Sequence, residues 1–228
     1  MTMINLTQNI SYIPSSTKPF SCDVVFIKGQ KFTWIFDCGT TKEIADEINK
    51  IQMPKNIVIS HFHPDHILNL ARINYDNLYV SKYTKKYTFK GTVLESDFFA
   101  QDFLDTTSKK ENLDNQKNQI KIFHLPSSHA KGCLCLACGD YCFMGDGTYA
   151  KELIGNHYYN AQLLLQMINV MEKIDVKYFC LSHDKNFVQN KETVLALYKD
   201  IYKRRQEGNP KISVEDFFNA DGTVKTDL

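Results

Sequence analysis

The chain has 228 residues, 43% of them hydrophobic and 23% charged, which is the composition of an ordinary globular protein and excludes a disordered or fibrous one. Its formal net charge of +1 provides no global field to recruit nucleic acid or a membrane surface. Residues 1–16 hold no apolar core of signal-peptide length, and no apolar run is long enough to span a bilayer, so we expect a cytoplasmic protein with no membrane partner.

The N-terminal part of the chain is predicted to form strands and one helix. Strands are expected at residues 4–13, 22–27 and 32–36, and the last two meet in a hairpin turn that contains Gly29. Thr41 is a suitable N-cap for a helix over residues 42–51, because its hydroxyl can accept a free backbone N–H of the first turn. Residues 56–60 form a short apolar, β-branched run that is typical of a buried strand.

The centre of the chain is less regular. A helix is expected to begin within residues 67–72, and residues 77–80 fit a short strand. Residues 82–118 mix charged and aromatic side chains without a steady period. We predict a helix near residues 97–104 and a mobile loop at residues 106–118.

The C-terminal half alternates again between strands and helices. Strands are predicted at residues 120–125, 133–138, 141–144 and 176–181, and helices at residues 161–174 and 191–204. The run Gly208-Asn209-Pro210 ends the last helix. From about residue 208 we predict a flexible tail with a short helix capped by Ser213. All these elements are assigned to one domain over residues 1–228.

A cluster of metal-binding side chains follows the strand at residues 56–60. The run His61-Phe62-His63-Pro64-Asp65-His66 places four potential ligands within six residues. Imidazole nitrogen and carboxylate oxygen suit a borderline divalent ion such as zinc. Three of the seven histidines of the chain fall here, which argues against a chance cluster on the surface.

Further potential ligands also stand at or just after strand ends. They are Asp37, His129, Asp146 and His183. Strand ends that converge at one edge of a sheet would bring these groups together with the histidine cluster. The combined set, five histidines and two or three aspartates, is about what two four- or five-coordinate ions require.

These motifs resemble the metallo-β-lactamase superfamily, which includes glyoxalase II, lactonases and ribonuclease Z. The motifs that carry the resemblance are Asp37-Cys38-Gly39, the run from His61 to His66, His129, Phe143-Met144-Gly145-Asp146 and Leu181-Ser182-His183. The resemblance implies an α/β fold, a four-layer αβ/βα sandwich in which two mixed sheets are flanked by helices. The site would lie at the edge between the two sheets.

The resemblance also implies a role for each residue. One ion would be held by His61, His63 and His129, and a second ion by Asp65, His66 and His183. Asp146 would bridge the two ions. Asp37 would support the loop and orient the ligands rather than bind metal.

The implied activity is that of a dinuclear metal hydrolase acting on a small molecule. A hydroxide bridged by two divalent ions would attack a small ester, thioester or lactone, and the same ions would stabilise the developing oxyanion. Zinc is the expected ion, and iron or manganese suit the same ligands. The expected catalytic residues are Asp65, which also orients the attacking water, and the bridging Asp146.

Two other functions fit the same metal site. One is a phosphodiesterase or nuclease, for which the basic and aromatic run at residues 82–90 would contact phosphate, although a solvated surface is the commoner explanation of such a run. The other is a non-catalytic regulatory protein that keeps the metals, and the intact ligand set argues against it. A redox di-iron relative usually has glutamate at the position of His63.

Several other side chains have two interpretations. Tyr149 and His157 are candidate substrate contacts. Tyr149 closely follows Asp146, although packing explains it equally well, and His157 precedes a helix in a region expected to overhang the site. His124 is interpreted as structural. The odd count of seven cysteines indicates a reducing compartment, and those within residues 133–142 are interpreted as buried hairpin residues rather than a thiolate zinc site.

Overall fold

The structure, a computed structural model, describes residues 2–103 and 119–214. Its strands are, in chain order, β1 (Ile4–Asn5), β2 (Ile10–Ile13), β3 (Ser16–Thr17), β4 (Phe20–Ser21), β5 (Val24–Lys28), β6 (Thr33–Phe36), β7 (Lys55–Val58), β8 (Asn77–Val80), β9 (Thr92–Val93), β10 (Phe98–Ala100), β11 (Ile120–Leu125), β12 (Cys133–Cys138), β13 (Tyr141–Phe143), β14 (Lys151–Leu153), β15 (Asn156–Asn160), β16 (Tyr178–Cys180), β17 (Val188–Asn190) and β18 (Lys211–Ser213). Its α-helices are α1 (Lys42–Lys50), α2 (Pro64–Ile67), α3 (Ala161–Lys173) and α4 (Lys191–Lys203).

Two mixed sheets form the centre of the fold. The first has seven strands in the order β1-β2-β5-β6-β7-β8-β9, antiparallel as far as β6 and parallel from β6 to β9. The second has six strands in the order β10-β11-β12-β13-β16-β17, in which only β13 and β16 pair in parallel. A smaller sheet contains β14, β15 and β18, and β3 pairs with β4.

The apolar side chains divide into three cores that define four layers. One core lies between the sheets and joins residues such as Trp34 and Phe36 of β6 to Phe143 of β13. A second packs α1 on the outer face of the first sheet, and a third packs α3 and α4 on the outer face of the second sheet. This arrangement is the predicted four-layer αβ/βα sandwich, and that prediction is confirmed.

Helix α1 forms for the reasons given by its sequence. The Thr41 hydroxyl accepts the backbone N–H of Ile44 at the N-terminus (3.3 Å), as expected of an N-cap. Ile44, Ala45 and Ile48 lie on one face of the helix and are buried against the first sheet.

Among the described residues, no helix is long and apolar enough to cross a bilayer.

The N-terminal prediction was wrong in detail. Residues 4–13 form two strands instead of one, and β1 pairs antiparallel with β2. The chain reverses between them because the backbone N–H groups of Leu6 and Thr7 both donate to the carbonyl of Ile10 (2.9 and 3.1 Å).

The helix predicted near residues 97–104 was also wrong. Residues Phe98–Ala100 form β10, which pairs antiparallel with β11 so that Phe98 lies opposite Ile122. Phe98 packs on the core between the sheets, and this tertiary contact decides the conformation of a segment without a clear period of its own. The loop predicted at residues 106–118 lies outside the described residues.

The start of the tail predicted to be flexible is instead part of a sheet. Residues Lys211–Ser213 form β18, which pairs antiparallel with β15, so Ser213 lies in a strand; the short helix predicted after it falls outside the described residues. Ile212 and Val214 are buried against the core of the second sheet. Burial of these side chains explains why the chain continues along the sheet after Pro210. Residues after 214 lie outside the described residues.

Asp102 ties the chain after β10 to the start of β6. Its carboxylate accepts the indole N–H of Trp34 (2.7 Å) and the backbone N–H groups of Lys31 (2.7 Å) and Phe32 (3.2 Å). The side chain is only 4% exposed. A buried carboxylate with three N–H donors is well satisfied, and its removal leaves those donors without partners.

We therefore expect Asp102→Ala to lower the free energy of unfolding by about 3 kcal/mol, since buried N–H groups lose a charged acceptor. Urea denaturation followed by tryptophan fluorescence and circular dichroism measures the change. Asp46→Ala removes an aspartate from the exposed surface of α1 and serves as the control, which should keep the wild-type midpoint. An Asp102→Ala midpoint equal to that of Asp46→Ala would contradict the role given to Asp102.

Candidate metal centre

The predicted ligands lie on loops that leave the strands of the two sheets at a common edge. Asp37 follows β6 and His61 closely follows β7, its parallel neighbour. Asp146 and His183 follow β13 and β16, which also pair in parallel. His129 lies between β11 and β12. Parallel pairing places successive strand ends side by side, and here it does so in both sheets.

The backbone at this edge has the conformations that the close approach of the loops requires. Asp37 and His183 adopt left-handed φ angles of 60° and 63°, and Gly145 has a φ of 54°. A Cβ at Gly145 would lie 2.6 Å from the Cβ of Ser60, so only glycine lets the loop after β13 pack on the loop after β7. Pro64 begins α2, and this single helical turn buries Asp65 and His66.

The first group of ligand atoms consists of three imidazole nitrogens. The Nδ1 of His63 lies 2.9 Å from the Nε2 of His61 and 3.0 Å from the Nε2 of His129. The three rings are nearly perpendicular to one another, with interplanar angles of 77° to 79°. The nitrogens of the three rings therefore converge on one point.

The second group consists of two carboxylates and two imidazoles. The Nε2 of His183 lies 3.0 Å and the Nε2 of His66 lies 3.1 Å from the Oδ2 of Asp65. The Oδ1 of Asp146 completes the group, 3.3 Å from the Nε2 of His66 and 3.8 Å from that of His183. The structure thus brings together all seven side chains that the sequence predicts as ligands.

Asp146 lies between the two groups and faces both of them. Its Oδ1 belongs to the second group, whereas its Oδ2 lies 3.4 Å from the Nε2 of His129 in the first group. Each oxygen of this carboxylate is therefore directed at a different group, as a bridging ligand requires.

Two observations show that these residues fit divalent ions. The buried Nε2 of His66 and the buried Oδ1 of Asp146 have no hydrogen-bond partner, although buried polar atoms normally do. The distances within the first group are close to the roughly 3.3 Å that separates ligand atoms on a tetrahedral zinc ion. The two buried atoms that lack hydrogen-bond partners would gain one from a bound cation, so this set of nitrogen and oxygen atoms suits metal ligation.

The carboxylates are held in the ionised form that ligands need. Burial opposes ionisation of Asp65, but the hydrogen bond from His183 and the charge of the neighbouring His66 outweigh burial and hold the pKa of this carboxyl well below its ordinary value. Burial likewise opposes ionisation of Asp146, but the positive charge of His66 outweighs burial and holds the pKa of Asp146 below its ordinary value as well. Both carboxylates are therefore anions at neutral pH.

The histidines of the first group are held neutral. Burial lowers the pKa of His61, His63 and His129, so each ring is neutral at physiological pH and has a free nitrogen lone pair. His66 differs from them. Burial disfavours its charged form, but Cys22, Asp146 and Asp37 raise the pKa of His66 well above its ordinary value. An incoming cation would replace the proton of His66.

Asp37 contacts His66 of the second group directly and His61 of the first group through Ser60, so its position is compatible with the supporting role that stays a prediction. Its Oδ1 accepts the backbone N–H of Ser60 (2.7 Å), and its Oδ2 accepts the Ser60 hydroxyl (2.7 Å) and lies 2.7 Å from the Nδ1 of His66. The Ser60 oxygen in turn lies 3.0 Å from the Nδ1 of His61. This network places protons on the Nδ1 atoms of His61 and His66 and leaves both Nε2 atoms free for metal.

Two residues near the second group were missed by the sequence analysis. The buried carboxylate of Asp23 accepts the backbone N–H of His183 (2.8 Å). The ring of Phe20 stacks on the ring of His183, with centroids 4.7 Å apart and an interplanar angle of 5°. The one available signal was the charge of Asp23 beside the apolar run Val24–Lys28, since a buried carboxylate needs several hydrogen-bond donors.

Of the candidate substrate contacts, Tyr149 has a structural contact. Its hydroxyl donates to the carbonyl of Ser182, so the phenol supports the loop that carries His183. Its ring lies 6.4 Å from that of His129. The structure places His157 in β15 opposite Glu152 of β14, where its carbonyl accepts the N–H of Val214. A substrate contact by His157 stays a prediction.

The cysteines have the buried positions that were predicted. All seven are buried and free of disulfides. Cys22 is close to Asp37 and His66, but burial raises the pKa of its thiol to about 12 and keeps it protonated. A neutral buried thiol is a poor metal ligand, so we interpret Cys22 as a buried side chain that packs beside the second group.

Comparison with known proteins agrees with this geometry. The family model described as metallo-beta-lactamase superfamily matches residues 17–183, which include all seven candidate ligands. No curated protein matches the sequence.

Several solved structures share the fold. A metallo-beta-lactamase from Pontibacter korlensis aligns over 90% of this chain and 99% of its own, with a TM-score of 0.60 and 13% identity. An archaeal superfamily protein from Sulfolobus tokodaii aligns over 89% and 90%, with a TM-score of 0.56 and 16% identity. A flavoprotein from Thermotoga maritima aligns over 87% of this chain, with a TM-score of 0.57 and 14% identity, and this chain spans only 54% of its length.

Identities this low establish the fold alone, whereas the family model matches well over half of the sequence with the ligands in order. The protein therefore belongs to the metallo-β-lactamase superfamily.

Proposed function

We propose that the protein is a metal-dependent hydrolase that holds two zinc ions and cleaves small esters, thioesters or lactones. The observation that carries the proposal is the position of Asp146, whose two oxygens face two separate groups of ligand atoms. A single ion would need only one of these groups. Iron or manganese would be accepted by the same imidazole and carboxylate donors.

The residues of this chain divide between the two ions. His61, His63 and His129 would hold the first ion, Asp65, His66 and His183 the second, and Asp146 both. Bound divalent ions supply Lewis acidity and lower the pKa of a water molecule towards neutrality. Asp65 is an ionised acceptor in the second group, and in this proposal it orients the attacking water and receives its proton.

The exposure of the ligands indicates where a substrate approaches. His61 and His66 are fully buried, whereas the side chains of His129 and His183 are 20% and 17% exposed. A carbonyl group would therefore enter from the side of His129 and His183. Phe20, which is 56% exposed and stacked on His183, offers an apolar wall there, and this wall supports an acyl substrate.

A phosphodiesterase is the second candidate, and one feature of the structure favours it. The ammonium groups of Lys82 and Lys86 lie 5.3 and 6.0 Å from the centre of the Tyr83 ring. These residues follow β8, the parallel neighbour of β7, at the edge that carries the metal centre. Two cations on an aromatic ring could bind one phosphodiester without any global basic charge.

The first prediction for this site concerns its metal content. Protein purified without chelator should contain about two divalent ions per chain, because two ligand groups are present. Chelation should lower the melting temperature of the protein, because the ions bind the folded state and not the unfolded chain. Elemental analysis and differential scanning calorimetry measure the two effects. Metal-free protein that fails to take up added zinc would contradict the proposal.

The second prediction concerns the carboxylates. Asp146→Ala and Asp65→Ala should each lower kcat/KM by about 10³-fold or more, because each variant loses a group that holds or orients the reagent. The control is Asp184→Ala, which removes a partly exposed carboxylate next to His183 whose Oδ1 accepts the N–H of Asn186 (2.7 Å). Near-normal turnover of a folded Asp146→Ala protein would place the chemistry elsewhere.

The third prediction separates the two candidate functions. The double variant Lys82→Ala, Lys86→Ala is compared with Lys42→Ala, Lys50→Ala, which removes the same charge from the exposed surface of α1. Acyl hydrolysis should be unchanged in both, since neither pair contacts the ligands. Two results together would favour the phosphodiesterase. The wild type would cleave phosphodiesters faster than acyl compounds, and this phosphodiester turnover would fall with added salt and in the Lys82, Lys86 variant but not in the Lys42, Lys50 variant.

A further inference from the structure

Asp23 is a buried carboxylate in the segment between β4 and β5, and it contacts the loop that carries His183. Its Oδ2 accepts the backbone N–H of His183 (2.8 Å) and the hydroxyl of Ser182 (3.2 Å). Its Oδ1 accepts the backbone N–H of Ser15 (3.0 Å). The side chain is only 4% exposed. The carboxylate therefore joins two segments that are far apart in the sequence, one at Ser15 and one at Ser182 and His183.

The hydrogen bond to His183 supports an unfavourable backbone conformation. His183 has a φ of 63°, a left-handed angle that residues with a Cβ rarely adopt and that persists only where the surroundings hold it. The imidazole of His183 reaches the Oδ2 of Asp65 (3.0 Å) from this backbone. If the N–H of His183 lost its acceptor, the backbone could relax to an ordinary conformation and withdraw the ring from the site.

The residues next to Asp23 in the chain also contact the second group. The backbone N–H of Cys22 donates to the carbonyl of Asp65 (3.3 Å), and the Phe20 ring stacks on the ring of His183. The first group is supported from another side, since the Nδ1 of His61 lies against the Ser60 hydroxyl (3.0 Å). The segment from Phe20 to Asp23 is thus placed to act on one metal position and not on the other.

We infer that Asp23 is a positioning residue that sets the affinity of the second metal position through the backbone of His183. The inference rests on the proposed function, because it requires the two-ion site described there. It adds that Asp23 supports the second ion, whereas the first ion does not depend on Asp23.

The test measures stepwise zinc binding to the full chain by competition with a chromophoric chelator. Asp23→Ala should weaken one of the two zinc equivalents by roughly 10- to 100-fold, the range typical of residues that orient metal ligands, and leave the other at its wild-type affinity. The matched control is Asp102→Ala. Asp102 is equally buried, at 4% exposure, and accepts N–H groups from Lys31 and Phe32 at the start of β6, the end opposite to Asp37.

The outcomes distinguish the inference from the function on which it rests. Wild-type protein that binds no more than one zinc ion overturns the two-ion site and the inference with it. If the wild type binds two ions and Asp23→Ala binds both of them with wild-type affinity, the inference alone is overturned. Equal weakening of both equivalents, matched in Asp102→Ala, also overturns it, because general destabilisation would then explain the loss. If Asp23→Ala does not fold, Asp23→Asn is compared with Asp102→Asn by the same criteria.

Discussion

The carboxylate of Asp37 is the interaction on which the metal centre depends. It lies in the turn after β6 and accepts donors from the loop after β7, the parallel neighbour, so it fixes the geometry between two strand ends. Through the Ser60 hydroxyl it also orients His61, and directly it orients His66. This one buried carboxylate thereby fixes the tautomer of both histidines, so that the Nε2 atom of each ring faces a metal position.

Such a site is unfavourable without cations, and the rest of the fold compensates for it. Asp37, Asp65 and Asp146 surround His66 at distances of 2.7 to 3.3 Å, and the Nε2 of His66 and the Oδ1 of Asp146 lack hydrogen-bond partners. Burial of several carboxylates in one place costs free energy unless positive charge is present. The stability of the chain must therefore come from the three apolar cores on either side of and between the sheets.

Much of the centre could be predicted because its signals are local. The run from His61 to His66 supplies four ligands from six consecutive residues, and Asp37, Asp146 and His183 each follow an apolar strand that the sequence shows clearly. Asp23 could not be found in this way. Its partners Ser182 and His183 are about 160 residues away, and only the packing of β5 against the loop after β16 brings them together. The same limit applies to Phe98–Ala100, whose strand conformation depends on pairing with β11.

The ligands lie in short sequence motifs, whereas the residues that border the site come from separate segments of the chain. The motifs therefore indicate the type of reaction but not the substrate. The buried side chains of His61 and His66 would hold the proposed ions, and a substrate would meet the exposed side of the site. That side is bordered by residues outside the ligand set: Phe20 stacks on His183, and Phe62 meets His63 edge-on at 5.2 Å while stacking on Tyr87 at 4.8 Å. Phe20 and Tyr87 are 56% and 60% exposed, so their rings are held at the surface by ring contacts and not by the cores. Aromatic side chains at the mouth of a site select substrates by shape and apolar area, whereas a few polar groups deeper in the site fix the orientation of the substrate for reaction. Substrate preference in this protein is therefore expected to follow the loops that carry these rings, and to change with them while the metal centre stays the same.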